Sequence, residues 1–260
     1  LYPNTILGQD IAGSIDSIKK ITAKDLKNNF DYFYRPENCH LVLIGNFDIE
    51  QIYRFVKETR SEFTISHKTV EKEKQPIEEN IQKLDSLQMD ISISKLAIGF
   101  KNVHFSDNYM RESILVQLLF NLLFGWTSPY YKNWYAEGKI DESMSIEYEV
   151  SSRYSFVIMT MDTAEPIRMS SLIRQVMTSA DKQRLLTEEA LDLQKKALYG
   201  EFLRSLDNIQ NLGSQYLAYS DDGKTYFDFG QELMSITSKD LKDFFNHYLS
   251  NLVITDFVVF

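Results

Sequence analysis

Apolar residues recur along this chain with two different periods, and the period predicts the element. Ile49, Ile52, Tyr53 and Val56 fall on one side of a helix expected over 48–60. Leu191, Leu198, Phe202, Leu206, Ile209, Leu212 and Tyr216 recur at three, four and seven, which predicts one long helix from Thr187 to about 219. A helix is expected at 165–180 behind Pro166, a residue suited to a first turn. Met144, Ile146, Tyr148 and Val150 instead alternate with polar partners, which predicts a strand at 143–150. Phe156, Ile158 and Met161 mark a second strand at 154–162, and the short Ser151-Ser152-Arg153 link makes the two a hairpin. Ile93, Leu96, Ile98 and Phe100 mark a strand at 92–101.

One helix departs from the one-faced pattern. From Ile114 to Phe124 nearly every position is apolar, while Ser113, Gln117 and Asn121 fall four apart on one narrow face. The expectation is a buried helix over about 107–124 with a thin polar stripe. The apolar run is about half the ~20 residues that a bilayer requires, so no membrane span is expected.

Residues 21–30 (I-T-A-K-D-L-K-N-N-F) and 236–245 (I-T-S-K-D-L-K-D-F-F) agree at seven of ten positions. Thr22 with Asp25 and Thr237 with Asp240 have capping-box spacing, with Asp in place of the usual Glu. A β-rich run follows each block, Leu41–Ile44 in one and Leu252–Phe260 in the other. Helix is therefore expected at 14–34, a strand at 41–46, and a final helix and strand near the other end. The copies lie 215 residues apart, so 91–260 reads as one complete unit and 1–65 as the remnant of a related unit. The upstream part of that first unit, very roughly 150 residues on ordinary domain sizes, is expected outside this chain. Residues 66–90 read as a linker, because Glu71-Lys-Glu-Lys-Gln-Pro76 mixes charges and ends on a helix breaker. Strands and helices in this order predict an α+β duplicated domain, its helices packed on one side of a largely antiparallel sheet.

Composition narrows the function classes. A formal charge of −9 gives a surface that repels phosphate backbones, so nucleic acid is not an expected partner. The single Cys39 cannot form an internal disulfide, which suits a reducing, cytoplasmic setting. The four histidines, His40, His67, His104 and His247, are not spaced to share a metal on one helix. H-E-x-x-H, H-x-x-E-H, a P-loop and G-x-S-x-G are all absent from the sequence. On composition and spacing alone, the chain carries no catalytic centre.

Residues 7–26 (L-G-Q-D-I-A-G-S-I-D-S-I-K-K-I-T-A-K-D-L) and 34–48 (Y-R-P-E-N-C-H-L-V-L-I-G-N-F-D) carry a family resemblance. They resemble the end of the first domain of pitrilysin/insulinase-type zinc metallopeptidases. The stretch 128–143 (S-P-Y-Y-K-N-W-Y-A-E-G-K-I-D-E-S) is similar to that family's following domain. Such proteins are built from duplicated α+β domains, which accounts for the repeat.

The resemblance implies zinc in the full-length protein, held by the two His of an H-x-x-E-H helix and a later Glu. Those positions precede the one matching Leu7, so no metal or catalytic residue is carried onto this chain. The family's second domain often holds substrate backbone with an Arg and Tyr pair. At the matching place this sequence has Tyr135 and Asp141, which departs from that pattern, and Arg153 and Tyr154 are the substitute candidates. The implied role is a non-catalytic chamber wall of an endopeptidase that binds extended peptide or unfolded protein. The alternative is a catalytically silent structural or peptide-binding subunit. The implied partners are the upstream segment of the first domain and a second subunit in a homo- or hetero-dimer.

Overall fold

Thr22 and Thr237 each cap a helix in the same way. Each threonine hydroxyl accepts from the backbone N–H three residues on, and each Asp at that third position accepts from the threonine N–H. These caps begin α2 (Ala23–Phe33) and α10 (Ser238–Ser250) of a computed structural model. The structure describes residues 1–3, 5–61, 81, 83–103, 108–151, 153–179, 185–219 and 223–260. His67, His104, Ser152 and the charged run 71–76 lie outside the described residues.

Before the sheet come α1 (Ile15–Ile18), α2 and α3 (Ile49–Ser61). The helix expected at 14–34 is two helices, because the Thr22 cap starts a new one after α1. The expected strand at 41–46 is not a strand. Leu41, Leu43 and Ile44 are exposed, and no described segment offers them an edge to pair with, without which extended backbone makes no ladder.

Five strands form one sheet: β1 (Leu84–Leu87), β2 (Lys95–Asn102), β3 (Ser145–Val150), β4 (Ser155–Asp162) and β5 (Leu252–Val259). Their order is β1-β5-β2-β4-β3. Only the β1–β5 pair is parallel, so the sheet is largely antiparallel as expected. β1 lies inside the stretch expected to be linker. It has four residues, all exposed, and owes its strand form to pairing with β5, a contact that local pattern cannot reveal.

The helices that follow are α4 (Tyr109–Phe124), α5 (Pro129–Ala136), α6 (Pro166–Thr178), α7 (Glu188–Leu206), α8 (Ile209–Ala218) and α9 (Phe229–Ser235). The long helix expected from 187 to 219 breaks between α7 and α8. There the Asn208 side chain accepts from the Asn211 N–H and caps a fresh start.

Register sorts the sheet into two faces. Leu96, Ile98 and Phe100 of β2 and Val157, Met159 and Met161 of β4 are all buried on the helical face. α4 lies at the centre of that layer, apolar around most of its circumference and buried accordingly. Its Phe120 meets Phe100 edge-on at 5.0 Å and also contacts Tyr148 and Tyr248. Each such buried side chain contributes roughly 1.5–3 kcal/mol, so this one helix organises the core. α6 is fastened to the sheet by Arg174 and Ser170, both donating to the Asp256 carboxylate at 2.9 Å. On the opposite face Leu1 lies over Gly99, and the buried Lys101 ammonium sits 4.0 Å above the Tyr2 ring. The helices that pack on the sheet, with α4 at their centre, thus occupy one side and the first residues of the chain rest on the other.

Candidate functional site

The polar stripe of α4 meets the open end of the core. Gln117 and Asn121 line a cavity of about 310 Å³, together with the inward side chains of β3 and one face of α7. β3 alternates strictly, so Met144, Ile146 and Tyr148 turn inward while Glu147 and Glu149 remain exposed. From α7 come Gln194, Ala197, Leu198 and Glu201, spaced three, four and seven and so on one face. Trp126 and Tyr131 complete the lining. The chain reaches Trp126 through Gly125, whose N–H donates to the Asn121 carbonyl at 2.9 Å. A Cβ at Gly125 would lie 2.5 Å from that carbonyl oxygen, so a glycine is required to turn the chain there.

Hydrogen bonds orient the polar groups. The Tyr148 hydroxyl donates to Asn121 Oδ1 at 2.8 Å. The Gln117 amide donates to Ser113 Oγ at 3.2 Å, and the Gln194 amide donates to Thr127 Oγ1 at 2.7 Å. These bonds use one polar atom of each amide, the nitrogen of Gln117 and Gln194 and the oxygen of Asn121. Burial pushes the Tyr148 phenol up, and the nearby Glu201 carboxylate adds to the effect, so Tyr148 stays a neutral donor. Among the described residues Glu201 is the one carboxyl group lining the cavity.

The chemistry follows from that set. Amide oxygens and one carboxylate accept hydrogen bonds and attract a cation. Among the described residues the lining holds no imidazole and no thiol, a set that does not fit a zinc site. Among the described residues no group of three or more His, Cys, Asp and Glu could hold a metal ion. Cys39, His40 and His247 are exposed.

Arg153 and Tyr154 lie elsewhere, in the β3–β4 turn. Ser151 organises that turn, its hydroxyl accepting from the N–H groups of Arg153 and Tyr154. Arg153 is exposed, while the Tyr154 ring packs 6.0 Å from Phe156. Neither lines the cavity. Tyr135 stacks on Tyr131 at 6.0 Å, and Asp141 accepts from the Ser143 N–H at 2.8 Å. Gln117 and Asn121 of the polar stripe on α4 line the cavity, but the stripe alone marks only a polar face of a buried helix. Gln194 and Glu201 of α7 were not singled out in the sequence, where only the apolar positions of that helix stand out.

Comparison with known proteins places this arrangement. The family model "Peptidase M16 inactive domain" matches residues 20–198. A Bacillus subtilis (strain 168) protein named "Uncharacterized zinc protease YmfH" is 27% identical over 239 residues, 90% of this chain and 55% of the relative. The chain therefore spans about half the length of that relative. Among solved structures, an M16-like peptidase from Alicyclobacillus acidocaldarius shares the fold with a TM-score of 0.82 at 23% identity, over 98% of this chain and 62% of that one. A peptidase M16 inactive domain from Pseudomonas fluorescens has a TM-score of 0.76 at 16% identity, over 97% of this chain and 60% of that one. Among the described residues no helix is long and apolar enough to cross a membrane. Matched over more than half its length by the inactive-domain model, this chain belongs to the insulinase/pitrilysin-type M16 peptidase family.

Proposed function

We propose that this chain is the non-catalytic portion of a zinc-dependent endopeptidase and forms one wall of a chamber that receives extended peptide. The observation that carries the reading is the position of β3. It is the last strand of the sheet, paired with β4 alone, and its inward side chains line the cavity. A peptide laid along the outer edge of β3 would gain main-chain hydrogen bonds there. The organisation behind the reading is a remnant of a first unit over 1–65, a linker over 66–90 and a second unit over 91–260. Arg153 and Tyr154, in the turn at the end of β3, remain the candidates for gripping such a peptide at its end.

Residues 1–61 supply the surface for the first domain's upstream segment. Ile15, Ile18, Ile21, Leu26, Phe30 and Tyr34 are all exposed, far more apolar surface than a lone helical segment gains by showing to water. The single, exposed Cys39 supports a cytoplasmic setting.

Two measurements on the full-length protein test the proposal. Stoichiometric zinc by atomic absorption with peptide hydrolysis supports the peptidase reading, whereas a zinc-free, inactive protein is the catalytically silent subunit. An extended peptide carrying a photo-crosslinker should mark residues 126–131 and 144–154. Crosslinks confined to other parts of the protein would sink the wall.

A further inference from the structure

We infer that the cavity between α4, β3 and α7 is a specificity pocket for an arginine side chain of a bound peptide. The inference rests on the peptide-wall reading and adds a ligand class to it. At about 310 Å³ the cavity lies at the low end of ligand pockets, suited to one long side chain and not to a whole substrate. Glu201 is exposed, lines the cavity and makes no ion pair among the described residues, so its charge is available to an incoming cation.

The remaining polar groups select the kind of cation. Gln117 Oε1 and Gln194 Oε1 are acceptors, and one N–H of each amide already donates to Ser113 or Thr127. A guanidinium offers five N–H donors in a plane and meets several acceptors at once, whereas an ammonium is a point charge. Trp126, 75% exposed, and Tyr131 present aromatic surface on which a guanidinium stacks. The geometry of access agrees. An extended peptide sends alternate side chains to one side. A peptide paired along β3 would direct one of them over Ile146 and Tyr148 toward this opening.

The test is a pair of fluorescein-labelled decapeptides, identical except for arginine or its neutral near-isostere citrulline at the central position. Binding to the full-length protein is read by fluorescence anisotropy at 150 mM salt. The arginine peptide should bind about tenfold more tightly, the low end for a hydrogen-bonded charge. Glu201→Gln should reduce that ratio to within about twofold, and Glu201→Lys should invert it. Both changes are at an exposed position, so folding is preserved. Glu147→Gln removes the same charge from the opposite side of β3 and should leave the ratio unchanged, which separates a pocket from the general pull of a −9 chain. Peptides that bind with a ratio near one, or a ratio indifferent to Glu201, would overturn the pocket and leave the wall standing. No binding by either peptide would overturn both.

Discussion

The Tyr148 hydroxyl donates to Asn121 Oδ1 at 2.8 Å, and so joins the last strand of the sheet to the last turn of the central helix. The bond crosses the wall of the cavity. It holds β3 against α4.

Removing that donor tests its worth. Tyr148→Phe keeps the ring contact with Phe120 at 6.4 Å and loses only the hydroxyl. The expected cost is about 1 kcal/mol, a fall in Tm of roughly 2–4 °C for a chain of this size. A Tm within 1 °C of the parent in a calorimetric scan would show that the bond does not fasten the edge.

Phe245 and Phe30 occupy the same place in the repeat and differ in what surrounds them. Phe245 is 1% exposed, whereas Phe30 is 57% exposed and stacks on Tyr34 at 5.0 Å. Phe245→Ala should cost about 3–5 kcal/mol and Phe30→Ala less than about 0.5 kcal/mol in this chain. In the full-length protein, where the first domain is proposed to cover α2, Phe30→Ala should become costly as well. Urea midpoints of both variants in both lengths decide the matter. A cheap Phe30→Ala in the full-length protein would refute that covering.

A charge network pins the start of α4 to α9 and α10. Arg111 pairs with Glu232 at 2.8 Å and Asp240 at 3.3 Å, and Lys224 pairs with Glu232 at 2.9 Å. The Thr237 hydroxyl, then its N–H, hold the Asp240 carboxyl below the usual range, with Arg111 adding to them. Burial would push Glu232 up, but hydrogen bonds from Arg111 and Lys224 outweigh it and its pKa is lowered. Both carboxyls thus bind a proton more readily in the unfolded chain. Their contribution is complete above about pH 4–5 and is lost as pH falls through the folded values. Urea midpoints should drop between about pH 5 and 3, and Arg111→Met should flatten that drop. An equal slope in the variant would exclude the network as its source.

The alkaline limb has the opposite sign. Burial, above all, pushes the Tyr2 phenol up to about 12, so the unfolded chain releases this proton first. The stability it contributes is intact below about pH 10 and is lost as pH rises toward 12. Tyr148 and Tyr248, also raised by burial, act in the same direction. Tyr2→Phe should lower the slope of stability against pH by about one proton between pH 10 and 12. An unchanged slope would mean that Tyr2 titrates alike in both states.

Period and capping were legible wherever contacts are local. The burial of α4, the β3–β4 hairpin and both threonine-capped helices follow from residues at most four positions apart, or from simple alternation. The break between α7 and α8 was less legible, because the apolar face continues across it while Asn208 resets the backbone. The repeat itself misled at 41–46. The sequence there matches a strand as well as the run 252–259 does, yet only the second copy has β1 and β2 beside it.

The family, the α+β class and the lack of a metal-spaced histidine pair could all be read from the chain alone. They depend on residue identity and short-range spacing. The cavity could not be read that way. Asn121 and Glu201 stand 80 positions apart and become neighbours only because α4 and α7 pack on the same face of one sheet. Sequence determined which faces are apolar. Tertiary packing decided which polar residues meet in the gap those faces leave, since such meetings depend on the order of strands and the crossing of helices and on no local pattern.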